Sequence, residues 1–129
     1  TKLAAELYGL TILAENIEDH EHNTTRFLLL SKEPSKPSPD EPVITSLFFT
    51  LRSVPAALYK AIGGFATNGI NMTKLESYLT GESFQAAQFY ADVEGHPDSV
   101  AMQHALEELE HFTSEVRIVG TYPASQERA

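Results

Sequence analysis

The chain has 129 residues, 42% of them hydrophobic, with no cysteine and no tryptophan, which suits one or two small globular units and excludes a disulfide scaffold or a cysteine-ligated zinc finger. Against 9 Lys+Arg stand 18 Asp+Glu, a formal charge of −9, so the mean field repels nucleic-acid phosphates and anionic lipid alike. No apolar run approaches the roughly 18 residues that span a bilayer, and the start Thr1-Lys2-Leu3-Ala4 lacks the layout of a signal peptide, so a cytoplasmic protein with neither membrane nor nucleic-acid partners is expected.

Lys2 to Tyr8 reads as the end of a helix, Leu10 to Ala14 as a short apolar strand, Asp19 to Asn23 as a polar turn, and Arg26 to Leu30 as another apolar strand. These pieces bury too little surface to stand alone and suggest the tail of a larger domain. Residues 32–42 then carry Pro34, Pro37, Pro39 and Pro42, which remove backbone donors and fix φ, so a semi-extended linker is expected there.

Val43 to Leu51 is β-branched and aromatic and predicts a strand. Ser53 is placed to cap a helix with Pro55 in its first turn, and Leu58, Ala61, Ile62 and Phe65 share one face of that helix, which stops at Asn68-Gly69. Ile70 to Leu79 and Phe84 to Val93 predict two strands around the connection Thr80-Gly81-Glu82-Ser83. Gly95-His96-Pro97-Asp98 breaks the pattern, after which Met102, Ala105, Leu106, Leu109 and Phe112 form a second helical stripe, and Val116 to Tyr122 predicts a last strand. The order is strand, helix, strand, strand, helix, strand. It predicts an α+β, ferredoxin-like βαββαβ unit over residues 43–123, with an antiparallel four-stranded sheet, two helices on one face and a tail at 124–129.

The runs Ala5-Glu6-Leu7-Tyr8-Gly9-Leu10, Asn16-Ile17-Glu18-Asp19 and Asn23-Thr24-Thr25-Arg26-Phe27 resemble the end of the catalytic domain of prephenate dehydratase. Val54 to Ala61, Gly69 to Ser77 and Gln88 to Asp92 resemble the ACT regulatory domain that follows it in that family. The resemblance implies conversion of prephenate to phenylpyruvate, with loss of carbon dioxide and water, and L-phenylalanine as allosteric effector. It assigns Thr25 as the catalytic threonine, with Arg26 and Phe27 as its companions in a segment of an α/β catalytic domain at 1–31. A positioned hydroxyl can donate to the departing oxygen and a guanidinium can hold a carboxylate, so the residue types suit that chemistry.

For the effector the resemblance points to Ala56, Ala57 and Leu58 at the start of the first helix of the ACT unit, and to Asn71, Met72, Glu76 and Ser77. Amides at a helix start favour an amino-acid carboxylate, Asn71 and nearby carbonyls the ammonium group, and Leu58 and Met72 an aromatic ring. The pocket is then expected between two subunits of a homodimer or tetramer. Two departures stand out: the family's Gly-Ala-Leu is here Ala56-Ala57-Leu58, and its Glu-Ser-Arg-Pro is Glu76-Ser77-Tyr78-Leu79.

Other groupings point to nothing further. His104, Glu108 and His111 share a helix face but lack a further metal ligand, so they read as a solvated charged face, and Asp19 to His22 read as a polar turn. Gly63-Gly64 marks either a close approach or a weak spot in the first ACT helix. No metal or cofactor is expected. The alternative reading is an ACT sensor of another aromatic amino-acid enzyme, which the block at residues 5–27 disfavours; an RNA-binding sheet would need more bases on its strands.

Overall fold

Val43 to Leu51, eight of whose nine residues are apolar or threonine, forms a central strand because both faces find cover. A computed structural model describes residues 1–20, 25–79 and 87–125. Two compact units are present, Thr1–Ser31 and Lys32–Ala129.

The second unit carries β1 (Val43–Leu51), α1 (Ala57–Thr67), β2 (Met72–Leu79), β3 (Ala87–Val93), α2 (Val100–Phe112) and β4 (Thr113–Pro123). Its antiparallel sheet has the order β2-β3-β1-β4, the ferredoxin-like arrangement. Alternation sends Leu47 and Phe49 of β1 and Phe89, Ala91 and Val93 of β3 to one face, where Ala61 and Phe65 of α1 and Met102, Ala105 and Leu109 of α2 cover them. Phe49 and Phe89, paired across the strands, stack with ring centroids 5.4 Å apart. The expected hairpin connection, residues 80–83, lies outside the described residues, as does the start of the third strand at 84–86. With leucine where the family has proline, β2 keeps its ladder as far as Leu79, opposite Ala87.

The two helices start differently, and the expectation for the first is corrected. Ser99 caps α2, its hydroxyl accepting from the Met102 amide at 3.3 Å. Ser53 does not cap α1. The chain first makes a turn, with the Val54 amide donating to the Arg52 carbonyl and the Ala57 amide to the Val54 carbonyl, and α1 begins behind Ala56 without any side-chain cap. Ala56 sits at φ 56°, ψ 30°, the left-handed region.

The Gly63-Gly64 pair resolves into both of its alternatives. A Cβ on Gly64 would lie 2.7 Å from Glu108 Cβ and 3.2 Å from the Ala105 carbonyl, so this glycine is where α1 touches α2; around Gly63 there is open space. Glu108, expected on a solvated face, turns toward the end of α1 and accepts from Asn68 Nδ2 at 3.0 Å.

The first unit contains the helix Lys2–Tyr8, capped by Thr1, whose hydroxyl accepts from the Ala4 amide, and ended by Gly9 at φ 61°. The strands expected at Leu10–Ala14 and Arg26–Leu30 do not form: those residues are irregular, with Leu13 95% and Leu29 99% exposed. A strand needs a neighbour to pair with, and apolar composition alone does not supply one.

Candidate functional site

The start of α1 offers backbone donors. Lys60 is the first residue to make the helical bond, back to the Ala56 carbonyl, and the Ala57 amide is used by Val54. The expectation of a free Ala57 amide is therefore corrected; the amides of Leu58 and Tyr59, like that of Ala56, have no acceptor among the described residues. Left-handed Ala56 makes the turn that precedes them, and no side-chain oxygen caps the helix start to consume them. Leu58 packs partly against the core, as does Met72.

The other predicted effector residues lie elsewhere along the sheet. Because β1 and β2 both run antiparallel to β3, they are parallel to each other. Met72 shares a row with Val93 and Thr45, whereas α1 begins just after Leu51 at the far end of β1. Six residues of strand separate those rows by ~20 Å. One chain therefore does not bring Asn71 and Met72 to Leu58. Glu76 and Ser77, exposed and midway along β2, pair with Tyr90 and Phe89.

Glu76 is already occupied. Tyr78 Oη donates to its carboxylate at 2.6 Å and Lys74 Nζ lies 3.0 Å away, and these bonds, the tyrosine's first, hold the carboxyl below its usual range. The same bond raises the Tyr78 phenol. Tyr78 thus occupies a position where the family motif has arginine and ties up the carboxylate beside it. Asn71 is also engaged, its Nδ2 donating to Glu94 Oε2 at 3.0 Å.

Beside Tyr78 the outer sheet face holds a polar network that alternation in Phe89-Tyr90-Ala91-Asp92-Val93 announces only in part. Asp92 is fully buried, accepting from Ser46 Oγ at 2.5 Å and from Tyr90 Oη at 2.6 Å, and Ser46 Oγ lies 3.2 Å from Tyr122 Oη. Burial first, and then the bond to Asp92, pushes the Tyr90 phenol up to about 12. Phe48 packs edge-on to Tyr90, and Lys74 Nζ lies over the same tyrosine ring, 5.3 Å from its centroid. Ser46 and Tyr122 lie on strands that neighbour in the sheet but are far from Asp92 or from each other in sequence, so no local pattern could have assembled them.

Thr25, Arg26 and Phe27 lie on the irregular stretch of the first unit; Thr25 and Arg26 are exposed and Phe27 is 87% exposed. Among the described residues no group of three or more His, Asp or Glu is placed to hold a metal, and no helix is long and apolar enough to cross a membrane.

Comparison with known proteins gives these features a context. The prephenate dehydratase family matches residues 1–35. Over 124 residues, 95% of this chain and 44% of the other, the chain is 52% identical to a bifunctional N-acyl-homoserine lactone acylase/prephenate dehydratase of Komagataeibacter europaeus. The chain is related to the prephenate dehydratases. A solved structure described as a novel type of quorum-quenching acylase superposes on all of this chain and 47% of its own with a TM-score of 0.90 at 50% identity. A prephenate dehydratase from Arthrobacter aurescens, in complex with L-Phe, shares the fold over 76% of this chain and 32% of its own, with a TM-score of 0.63 at 23% identity. The chain spans less than half the length of each of these three proteins. Its second unit has the ferredoxin-like, ACT-type fold.

Proposed function

We propose that this chain is the carboxy-terminal portion of a prephenate dehydratase, a lyase of phenylalanine biosynthesis: residues 1–31 close the catalytic domain, 32–42 link, and 43–123 form an ACT unit that binds L-phenylalanine as allosteric effector. The observation that carries the reading is the pair of unaccepted amides at Leu58 and Tyr59, behind left-handed Ala56 at the family's effector motif. The separation of Asn71 from that helix start supports a site shared by two copies. When β2 of one copy lies antiparallel to β2 of another, the start of one strand reaches the end where the other copy's α1 begins. A homodimer or tetramer through the ACT units follows.

Calorimetric titration with L-phenylalanine, L-tyrosine and L-tryptophan tests the effector assignment. Binding of phenylalanine is expected; silence for all three overturns it. In the whole enzyme Thr25 would donate to the leaving oxygen and Arg26 would steady a carboxylate of prephenate. Thr25 and Arg26 are exposed in this unit, and a dianionic substrate needs groups converging from several elements. The chain by itself is therefore expected to leave prephenate unchanged, and phenylpyruvate formation at an enzymatic rate would contradict that.

The 52% identical relative supports a second reading for the whole protein, since its name joins a lactone acylase activity to the dehydratase. Incubating the full-length protein with an N-acyl-homoserine lactone and measuring released fatty acid tests it; no release excludes that activity.

A further inference from the structure

We propose that Glu94 is the specificity residue that receives the ammonium group of the amino-acid effector, a step that rests on the effector-site reading above. An amino acid at neutral pH is a zwitterion, and the Leu58 and Tyr59 amides suit only its carboxylate. The ammonium end needs a partner of opposite charge at the start of β2, where Asn71 lies.

Asn71 cannot fill that need unaided, because its side-chain amide carries no charge; its Nδ2 donates to Glu94 Oε2 at 3.0 Å and so ties a charged group to the same place. The Glu94 amide in turn donates to the Asn71 carbonyl at 2.9 Å. Two hydrogen bonds thus hold Glu94 at the effector end of β2, one on its carboxylate and one from its backbone amide. Packing holds its backbone as well: a Cβ on the next residue, Gly95, would come within 3.2 Å of Ile70 Cδ1 and 3.3 Å of Met102 Sδ.

Charge separates Glu94 from Glu76. Lys74 already neutralises Glu76, and Tyr78 adds a hydrogen bond, so an incoming amine would have to displace both. Glu94 has no cationic partner among the described residues. It also opens onto space. With Ile70, Gly95, His96 and linker residues Glu41 and Pro42 it lines a cavity of about 470 Å³, within the range of small-molecule sites.

The test uses a pair of ligands that differ only in the ammonium group, L-phenylalanine and 3-phenylpropanoate, titrated calorimetrically into the chain and its Glu94→Gln, Glu94→Asp and Glu110→Gln variants, Glu110 being an exposed residue of α2 outside the cavity. The wild type is expected to prefer phenylalanine. Glu94→Gln is expected to weaken phenylalanine binding by about tenfold or more, the scale of a hydrogen bond to a charged group, while leaving 3-phenylpropanoate unchanged or tighter. Glu94→Asp keeps the preference, because it keeps the charge, and Glu110→Gln behaves as wild type. If Glu94→Gln binds phenylalanine within about twofold of wild type while the wild type binds well, the assignment of Glu94 is wrong and the effector site stands. If the wild type binds neither compound, the effector site fails and Glu94 falls with it.

Discussion

Ala56 holds a conformation that costs a residue with a Cβ roughly 1–2 kcal/mol, and it does so where the family motif carries glycine. Glycine would remove that cost while adding backbone freedom to the unfolded chain. Ala56→Gly is therefore expected to stabilise the second unit by about 0.5–1 kcal/mol, read as a higher urea midpoint at unchanged slope. Nothing in Val54-Pro55-Ala56-Ala57 announces a left-handed residue; only the glycine of the related motif hints at it. Tyr90 gives a pH signature. Its phenol is pushed up to about 12 in the folded protein by burial and by the bond to Asp92, against about 10 for an exposed tyrosine. The unfolded chain therefore loses this proton first, so the stabilisation is complete below about pH 10 and is lost as pH rises through about 12. Urea stability is expected to fall across that window, and Tyr90→Phe is expected to flatten the fall even if it lowers stability at neutral pH.

Among the elements, α1 shows how two adjacent glycines part company. Gly63→Ala meets nothing within 4 Å, so it should gain the helix propensity that alanine offers, about 1 kcal/mol. Gly64→Ala pushes into Glu108 and the Ala105 carbonyl and should destabilise by about 1–3 kcal/mol despite the same propensity gain. Thermal melts of the two variants should move in opposite directions, and a shift of both the same way would show that α1 and α2 are not in contact at Gly64. The helical stripes were legible because spacing alone marks the buried face of a helix: Ala61, Phe65, Met102, Ala105 and Leu109 are all in the core. The strands of residues 10–14 and 26–30 were misread for the opposite reason. Their apolar side chains signal burial in a larger body, but strand geometry is realised only by hydrogen bonding to a neighbour.

At the scale of the molecule, the hydrophobic cluster from Leu47 to Leu109 lies wholly in the second unit, and Val116 packs against it. A chain cut to residues 32–129 is accordingly expected to unfold in one cooperative transition with the midpoint of the intact chain within a few degrees, followed by circular dichroism. Loss of that transition would mean that the first unit supplies part of the stability. The linear pattern by itself determined the βαββαβ order and the core faces, since periodicity is a local property that burial reads directly. Tertiary structure decided the rest. It used the Ala57 amide and left those of Leu58 and Tyr59, joined Glu76 to Lys74 and Tyr78, set Glu94 against Asn71, and separated Asn71 from the α1 start by the length of the sheet. Those outcomes depend on which strands run parallel and which side chains meet across them, and no spacing along one chain encodes that meeting.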